Sequence, residues 1–405
     1  MNLKKSFILP FLLSFSLYSE YFNISNNLLN TLIAFYAFYL LFTLNKKELF
    51  IAGFITSICW FYWIGYSFIY YDLVYLIPFV LIGIGLLYAI LFYFIGYFHS
   101  YLYRFFTIVL FSYIEPFGFN WFKLELLFIN SYIGITKIEC ILFLLSVIFF
   151  ISFLEKKKFW YLLFSSFLIL GLILFNNLNY RSIPKLELKI DMISTNLDQE
   201  KKWLKQYRNN IINQNIKYIQ NAIEKKYDIV ILPETAFPIS LNLYKDIYNR
   251  LKVLSKNITI ITGGLEYKDN GYYNSTYLFY KNSVQTAQKV VLVPFGEKIP
   301  FPQFITNWIN KTFYNNASDY KVAYHPTTFT INNIKFRNAI CYEATTDKIY
   351  KNLDTSYVIA ISNNGWFTPS IEPTLQKLLL KYYAKKYNLV IYSVTNQSQS
   401  FIITH

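Results

Sequence analysis

Ile229-Val230-Ile231-Leu232-Pro233-Glu234-Thr235 is a short β-branched, apolar run closed by a proline, with a carboxylate immediately past its end. The run reads as a β-strand. On both sides of it, from about Lys185 onward, β-rich runs alternate with amphipathic stretches. Strands are expected at 186–194, 228–232, 258–262, 275–280, 290–293, 334–340, 357–362 and 389–394, and helices at 199–226, 241–256 and 372–387. Phe401-Ile402-Ile403-Thr404 reads as the start of one more strand. This alternation predicts a layered α/β domain, a fold that delivers its working groups just beyond strand ends.

Two other segments have the character of the one that ends in Glu234. Lys289 runs into Val293-Pro294-Phe295-Gly296-Glu297, and the apolar run before Ile340 leads into Cys341-Tyr342-Glu343. Each residue alone has a plain reading: Glu234 as a solvated turn carboxylate, Lys289 as a surface lysine, Cys341 as a small buried hydrophobe. Together they have the composition of a thiol acyl-transfer site. A thiol is a useful nucleophile only as thiolate, so it needs a base in reach and a cation to stabilise developing negative charge. Glutamate and lysine supply both. His325 is an alternative partner for the thiol, but nothing in Tyr324-His325-Pro326 anchors it to a strand. The three histidines and three scattered cysteines offer no zinc ligand set, and Thr262-Gly263-Gly264 matches no phosphate-loop pattern. No cofactor or metal is expected.

The first half of the chain is of another kind. With 55% hydrophobic and 21% aromatic residues over 405 positions, the protein has too much apolar surface for one water-soluble core, and the excess lies within residues 5–175. Charges and turn residues divide it into runs near 5–22, 28–44, 49–70, 74–97, 105–119, 138–154 and 158–176. Most are close to the ~20 residues that cross a hydrocarbon core of about 30 Å, so seven crossings are expected. Lys4 and Lys5 precede a signal-like run, but no small-residue cleavage site follows, so the first span is expected to be retained. Cations at Lys4/Lys5, Lys46/Lys47, Arg104 and Lys156–Lys158 fall in alternate connections, with Lys123 and Lys137 as exceptions. That places the amino terminus in the cytoplasm and everything after Asn177 outside it. The net charge is +15, but many of the lysines lie in short clusters between apolar runs, where membrane topology explains them better than nucleic acid does, and no nucleic-acid partner is expected. The lone Cys341 of the second half then sits in an oxidising compartment, where an unpaired thiol favours a reactive role. The domains are expected at 1–178 (transmembrane) and 179–405 (extracytoplasmic), with Asn176-Asn177-Leu178-Asn179 as the linker.

Leu232-Pro233-Glu234-Thr235, Lys289 with Val293–Glu297, and Ile340-Cys341-Tyr342-Glu343 resemble the three catalytic blocks of the nitrilase (carbon–nitrogen hydrolase) superfamily. More narrowly, they resemble those of the apolipoprotein N-acyltransferase family. Supporting matches are the segment Asn196 to Trp203, the start of a strand at Tyr273-Asn274-Ser275 and the loop Ser362-Asn363-Asn364-Gly365-Trp366-Phe367; Trp60 to Ser67 and Glu115 fit more loosely. The resemblance spans nearly the whole chain. It implies a membrane bundle followed by a nitrilase-like αββα sandwich, in a multi-pass protein of the bacterial inner membrane with its catalytic domain on the periplasmic face.

It also implies roles for residues. Glu234 would be the base, Cys341 the nucleophile, and Lys289 the oxyanion partner with help from the Tyr342 N–H; Glu297 and Glu343 would support them, with Trp203 and Trp366 near the substrates. A phospholipid, by resemblance phosphatidylethanolamine, would give an acyl chain to Cys341 as a thioester. The α-amine of a diacylglyceryl-cysteine on an apolipoprotein would then take it, without ATP or metal. Thr374 stands where the family commonly has histidine, and Asn396-Gln397-Ser398 where it has Asn-Asn-Gly. The family continues beyond the position of His405 through further strands and a final span, so the 405-residue form is expected to be less stable than an extended one. Two other classes would use parts of the same sequence: a membrane-anchored amidase or nitrilase that gives the acyl group to water, and a transporter with a sensor domain, for which Glu115 is the clearest intramembrane ionisable residue. The aromatic segment Gln303–Ile309 with Phe313 and Tyr314 reads either as a lipid-dipping gate or as a helix packed on the sheet.

Overall fold

The computed structural model describes residues 3–178, 183–313 and 320–404, and the chain separates into two compact units. One comprises Met1–Pro116, Asn120–Ser182 and Pro369–Tyr382; the other comprises Phe117–Phe119, Ile183–Thr368 and Tyr383–His405. Asn179 of the expected linker lies outside the described residues.

Seven α-helices among the described residues make up the amino-terminal part: α1 (Leu3–Tyr21), α2 (Asn27–Thr43), α3 (Lys46–Phe61), α4 (Ile77–Tyr97), α5 (Tyr101–Phe111), α6 (Lys137–Lys156) and α7 (Phe159–Leu178). Four stretches are long and apolar enough to cross a bilayer: Lys46–Tyr71, Val74–Tyr97, Lys137–Lys156 and Phe159–Asn176. The run expected over 105–119 is instead the 11-residue α5, roughly 16 Å long at 1.5 Å per residue. Pro116 and the left-handed Phe117 (φ 56°) stop any continuation.

Polar residues in this unit are spent on helix ends. The Asn45 side chain accepts from the N–H groups of Lys47 and Glu48, while Glu48 accepts from the Asn45 N–H at 3.0 Å; Thr136 and Glu139 repeat this arrangement on α6. Arg104 donates to the Phe42, Leu44 and Phe98 carbonyls at 2.6–2.7 Å, covering orphan acceptors at the ends of α2 and α4. Close approach of α3 and α4 needs glycine: a Cβ on Gly85 would lie 2.4 Å from the Phe54 ring, and one on Gly53 2.7 Å from Phe92. Glu115, the expected intramembrane carboxylate, is half exposed beyond α5 and pairs with Lys123 at 3.6 Å.

The second unit is built on two sheets. The first contains β1 (Ile190–Met192), β2 (Ile229–Ile231), β3 (Phe237–Ser240), β4 (Thr259–Lys268), β5 (Gly271–Tyr280) and β6 (Ser283–Gln288), in the order β1-β2-β4-β5-β6 with β3 beside β4. The second runs β11 (Phe401–Ile403), β10 (Val390–Asn396), β9 (Tyr357–Asn363), β8 (Ile334–Ile340), β7 (Thr328–Ile331). Side chains alternate as a pleated strand requires. Ile229 and Ile231 of β2 enter one core with Ile340, Ile359, Ile361 and Val394 of the other sheet. Val230 and Leu232 face the opposite way, into a core with Ile212, Ile216 and Ile219 of α9 (Lys205–Glu224) and Leu251 of α10 (Lys245–Leu254), which follow the short α8 (Gln199–Lys202). α11 (Gln303–Phe313) and α12 (Asp347–Tyr350) complete the unit with the last turn of α13 (Glu372–Tyr387), where Tyr350 stacks on Tyr383 at 4.9 Å.

The expected strand at 290–293 does not form. The Val290 and Val291 N–H groups go to the Glu343 carboxylate at 2.7 and 3.1 Å, and that of Val293 goes to Glu297 at 2.9 Å, so these three are not available to a ladder. Polar, half-exposed β6 takes the edge position instead. The helix expected at 199–226 is broken at Trp203 into α8 and α9.

Candidate active site

Glu234, Lys289 and Cys341 lie just past the ends of β2, β6 and β8, and Glu234 and Lys289 are buried. Their placement follows from the parallel pairing of β1, β2 and β4 and of β8, β9 and β10, which brings the carboxyl ends of non-adjacent segments to one side. Each block contains a non-glycine residue in the left-handed region: Thr235 at φ 46°, Phe295 at 64° and Cys341 at 55°. For a β-branched threonine this is a strained conformation, held by its surroundings, and such strain gathers at functional sites.

The charges form a connected cluster. The Lys289 ammonium, fully buried, touches both Glu297 oxygens at 2.9 and 2.7 Å and lies 3.7 Å from Glu234 Oε1. Burial pulls the Lys289 pKa down, but the opposing charges of Glu297, Glu234 and Cys341 outweigh it, and the net shift is upward. Lys289 is therefore a fixed cation. It is suited to stabilise an oxyanion rather than to give up its proton. Cys341, half-buried, is near enough for its charge to act on both Lys289 and Lys202. It opens a 3-10 turn, Cys341–Thr345, so its own backbone turns sharply away from β8.

Glu343 joins the nucleophile segment to the lysine segment. One of its oxygens accepts from the Ile340 N–H at 2.8 Å, and the other from Val290 and Val291. Burial pushes its carboxyl up to about 7, against Lys289 and these three N–H donors. Tyr342 is buried, donates its O–H to the Gly118 carbonyl at 2.9 Å and stacks on Phe119 at 5.9 Å. Trp366 closes the short 3-10 turn after β9, while Trp203 is 40% exposed. His325 is exposed.

Two residues of the site were not singled out as working groups by the sequence. Asn274 donates to Glu234 Oε1 at 2.7 Å and to Glu297 Oε1 at 3.1 Å, bridging the carboxylates on either side of Lys289. Its only signal was the Tyr273-Asn274-Ser275 match. Lys202 is buried and donates to the Glu234 main-chain carbonyl at 3.1 Å, with no signal to distinguish it from Lys201 beside it.

Residues 1–173 match a family model described as the apolipoprotein N-acyltransferase integral membrane domain. The apolipoprotein N-acyltransferase of Wolinella succinogenes is 39% identical over 97% of this chain and 93% of its own length. That of Helicobacter pylori is 37% identical, over 89% and 84%, and that of Campylobacter jejuni 36%, over 98% and 89%. Among solved structures, a CN-hydrolase superfamily protein from Xanthomonas campestris with an arsenic adduct in its active site is similar over 54% of this chain and 83% of that one, at 13% identity and a TM-score of 0.43.

Proposed function

The chain belongs to the apolipoprotein N-acyltransferase family, a family of membrane acyltransferases, and from that premise we propose a two-step acyl transfer carried out by residues 179–405. The observation that carries it is the buried Lys289, clamped by Glu297, beside Glu234 and within electrostatic reach of a thiol at a strained strand end.

In the first step Glu234 takes the Cys341 proton and the thiolate attacks an ester carbonyl of a membrane phospholipid. Negative charge develops on the carbonyl oxygen, where Lys289 and the Tyr342 N–H stabilise it. As the tetrahedral intermediate collapses, Glu234 returns the proton to the departing alkoxide; a lysophospholipid leaves and a thioester remains. In the second step the α-amine of a diacylglyceryl-cysteine attacks the thioester. Glu234 accepts the amine proton and delivers it to the Cys341 sulfur as the C–S bond breaks, leaving an amide. Asn274 orients Glu234 throughout, and Glu343 keeps the nucleophile and lysine segments in register.

Exposure of the purified protein to phosphatidylethanolamine is expected to add one fatty-acyl mass to Cys341, removable with hydroxylamine. An adduct that persists in Cys341→Ala, or none in the wild type with any glycerophospholipid, overturns the mechanism. Addition of a diacylglyceryl peptide distinguishes transfer from hydrolysis: a transferase acylates the peptide amine, whereas a carbon–nitrogen hydrolase passes the acyl group to water.

The same reading sets the catalytic part on the periplasmic face of a bacterial inner membrane after seven crossings. Seven helices in series and the Lys156–Lys158 cluster support it. Alkaline phosphatase fused after Lys47 or Lys157 should be inactive and after Thr404 active. Activity after Lys157 would mean that the short α5 does not cross.

A further inference from the structure

Lys201 and Lys202 are neighbours with opposite environments. Lys201 is half exposed and pairs with Asp198 at 2.8 Å, while Lys202 is 1% exposed with its ammonium 3.1 Å from the Glu234 carbonyl oxygen. Burying an ammonium costs far more than one carbonyl contact returns, so the position asks for an electrostatic role. The hydrogen bond falls on the peptide joining Glu234 to the strained Thr235. On Gly263, a Cβ would come within 2.3 Å of the Thr235 nitrogen and 2.7 Å of the Glu234 Cα. The backbone that carries the base is therefore confined by Gly263 and tied by Lys202.

We propose that Lys202 is a positioning residue for acyl transfer: its ammonium fixes the Glu234 peptide, and its positive charge stabilises the negative charge that forms on the Cys341 sulfur during thiol activation. The inference rests on the reading of Glu234 as base and Cys341 as nucleophile. The groups facing Lys202 are Glu234 beyond β2 and Cys341 beyond β8, with Tyr207 and Tyr218 of α9 and Lys201 of its own segment lining the same cavity, Lys289 lying beyond Glu234, and Asp198 paired with Lys201. Burial pulls Lys202 down to about 8, against the raising effect of Glu234 and Cys341. A cavity of about 320 Å3 is lined by Lys202 and Glu234 with Asn196, Tyr207, Asn210 and Gln214. The charge is present below about pH 8 and fades above it.

The test is the rate of Cys341 alkylation by iodoacetamide in the full-length protein, resolved from Cys59 and Cys140 by peptide mass, between pH 6 and 9.5. At pH 7, Lys202→Met is expected to slow alkylation by about three- to tenfold, with the deficit shrinking above pH 8 as the wild type loses its own charge. Lys202→Arg, which keeps the charge throughout, should stay within about twofold of wild type. Lys202→Gln replaces the Met variant if that one does not melt cooperatively. No slowing in the neutral variant, a deficit constant across the pH range, or an Arg variant as slow as the Met variant overturns the proposal. Alkylation needs no acyl donor, so failure to form an acyl adduct from phospholipid would count against the acyl-transfer reading while leaving this result to stand by itself.

Discussion

The two units bury ionisable groups in opposite ways. In the membrane unit several such groups are satisfied locally or by a helix end: Glu48 and Glu139 close capping boxes within their own first turns, and Arg104 covers carbonyls left over from α2. In the second unit the buried charges converge instead. Glu234, Lys289, Glu297, Glu343 and Lys202 come from segments up to 141 residues apart and depend on one another. The first pattern stabilises helices. The second leaves groups whose charge state matters to a neighbour, which is the condition for chemistry.

This contrast can be broken by substitution. The largest effects are expected in the convergent cluster: Glu234→Gln and Lys289→Ala should each slow acyl-enzyme formation by about a hundredfold or more, and their combination should lose much less than the product, because they act as a unit. Single-turnover acylation measured by intact mass checks this, and a wild-type rate in either variant would remove that residue from the reaction.

Next in size is Glu343. Its carboxyl is held up to about 7 in the folded protein against an ordinary value of 4.5, so between these the folded state binds more protons than the unfolded one. The contribution of this group to stability therefore falls as pH rises across that window. Glu343→Gln should lower stability by roughly 2 kcal/mol, since one amide oxygen cannot serve three backbone donors. Melting curves in detergent should show the gap to wild type widest near pH 5 and narrower near pH 7.5. A gap that widens with pH would show that the buried group is held as the anion.

A smaller effect belongs to α11. Phe304 is 74% and Trp308 60% exposed, with Trp308 edge-on to Phe313 at 6.0 Å, so the aromatic face is turned out and not packed on the sheet; Tyr314 lies outside the described residues. Replacing Trp308 and Phe313 with Ser should slow acyl uptake from bilayers several-fold more than from detergent-dispersed lipid. Equal slowing would argue against contact with lipid. Smallest is Thr136→Ala at the start of α6, expected to cost about 1 kcal/mol with acylation unchanged at every pH. A changed pH profile in that variant would collapse the distinction between the units.

Legibility in the sequence follows the same divide. Glu234, Lys289 and Cys341 stood out as candidates because each block carries rigid or aromatic neighbours at a strand end. Asn274 and Lys202 could not be singled out, because their importance lies in a hydrogen bond to a residue 40 or 32 positions away. Periodicity also misassigned 290–293, where an apolar run gives its N–H groups to carboxylates. It overran α5 as well, since apolar composition continues past the residue where the helix ends. The polar edge strand β6 carries too weak an apolar signal to announce itself.

Helix α13 divides its allegiance: residues up to Tyr382 belong to the membrane unit and those from Tyr383 to the second one. Within the membrane unit, Lys377 and Lys381 of this helix both reach Glu20 of α1, at 2.9 and 2.7 Å, and the Ile371 N–H donates to Tyr62. Cutting the gene at the apparent linker would therefore part Lys377 and Lys381 from Glu20 and the Ile371 N–H from Tyr62. For anyone preparing this enzyme, the practical lesson is that the part after the linker is not a self-contained piece, since residues 369–382 belong with the membrane unit.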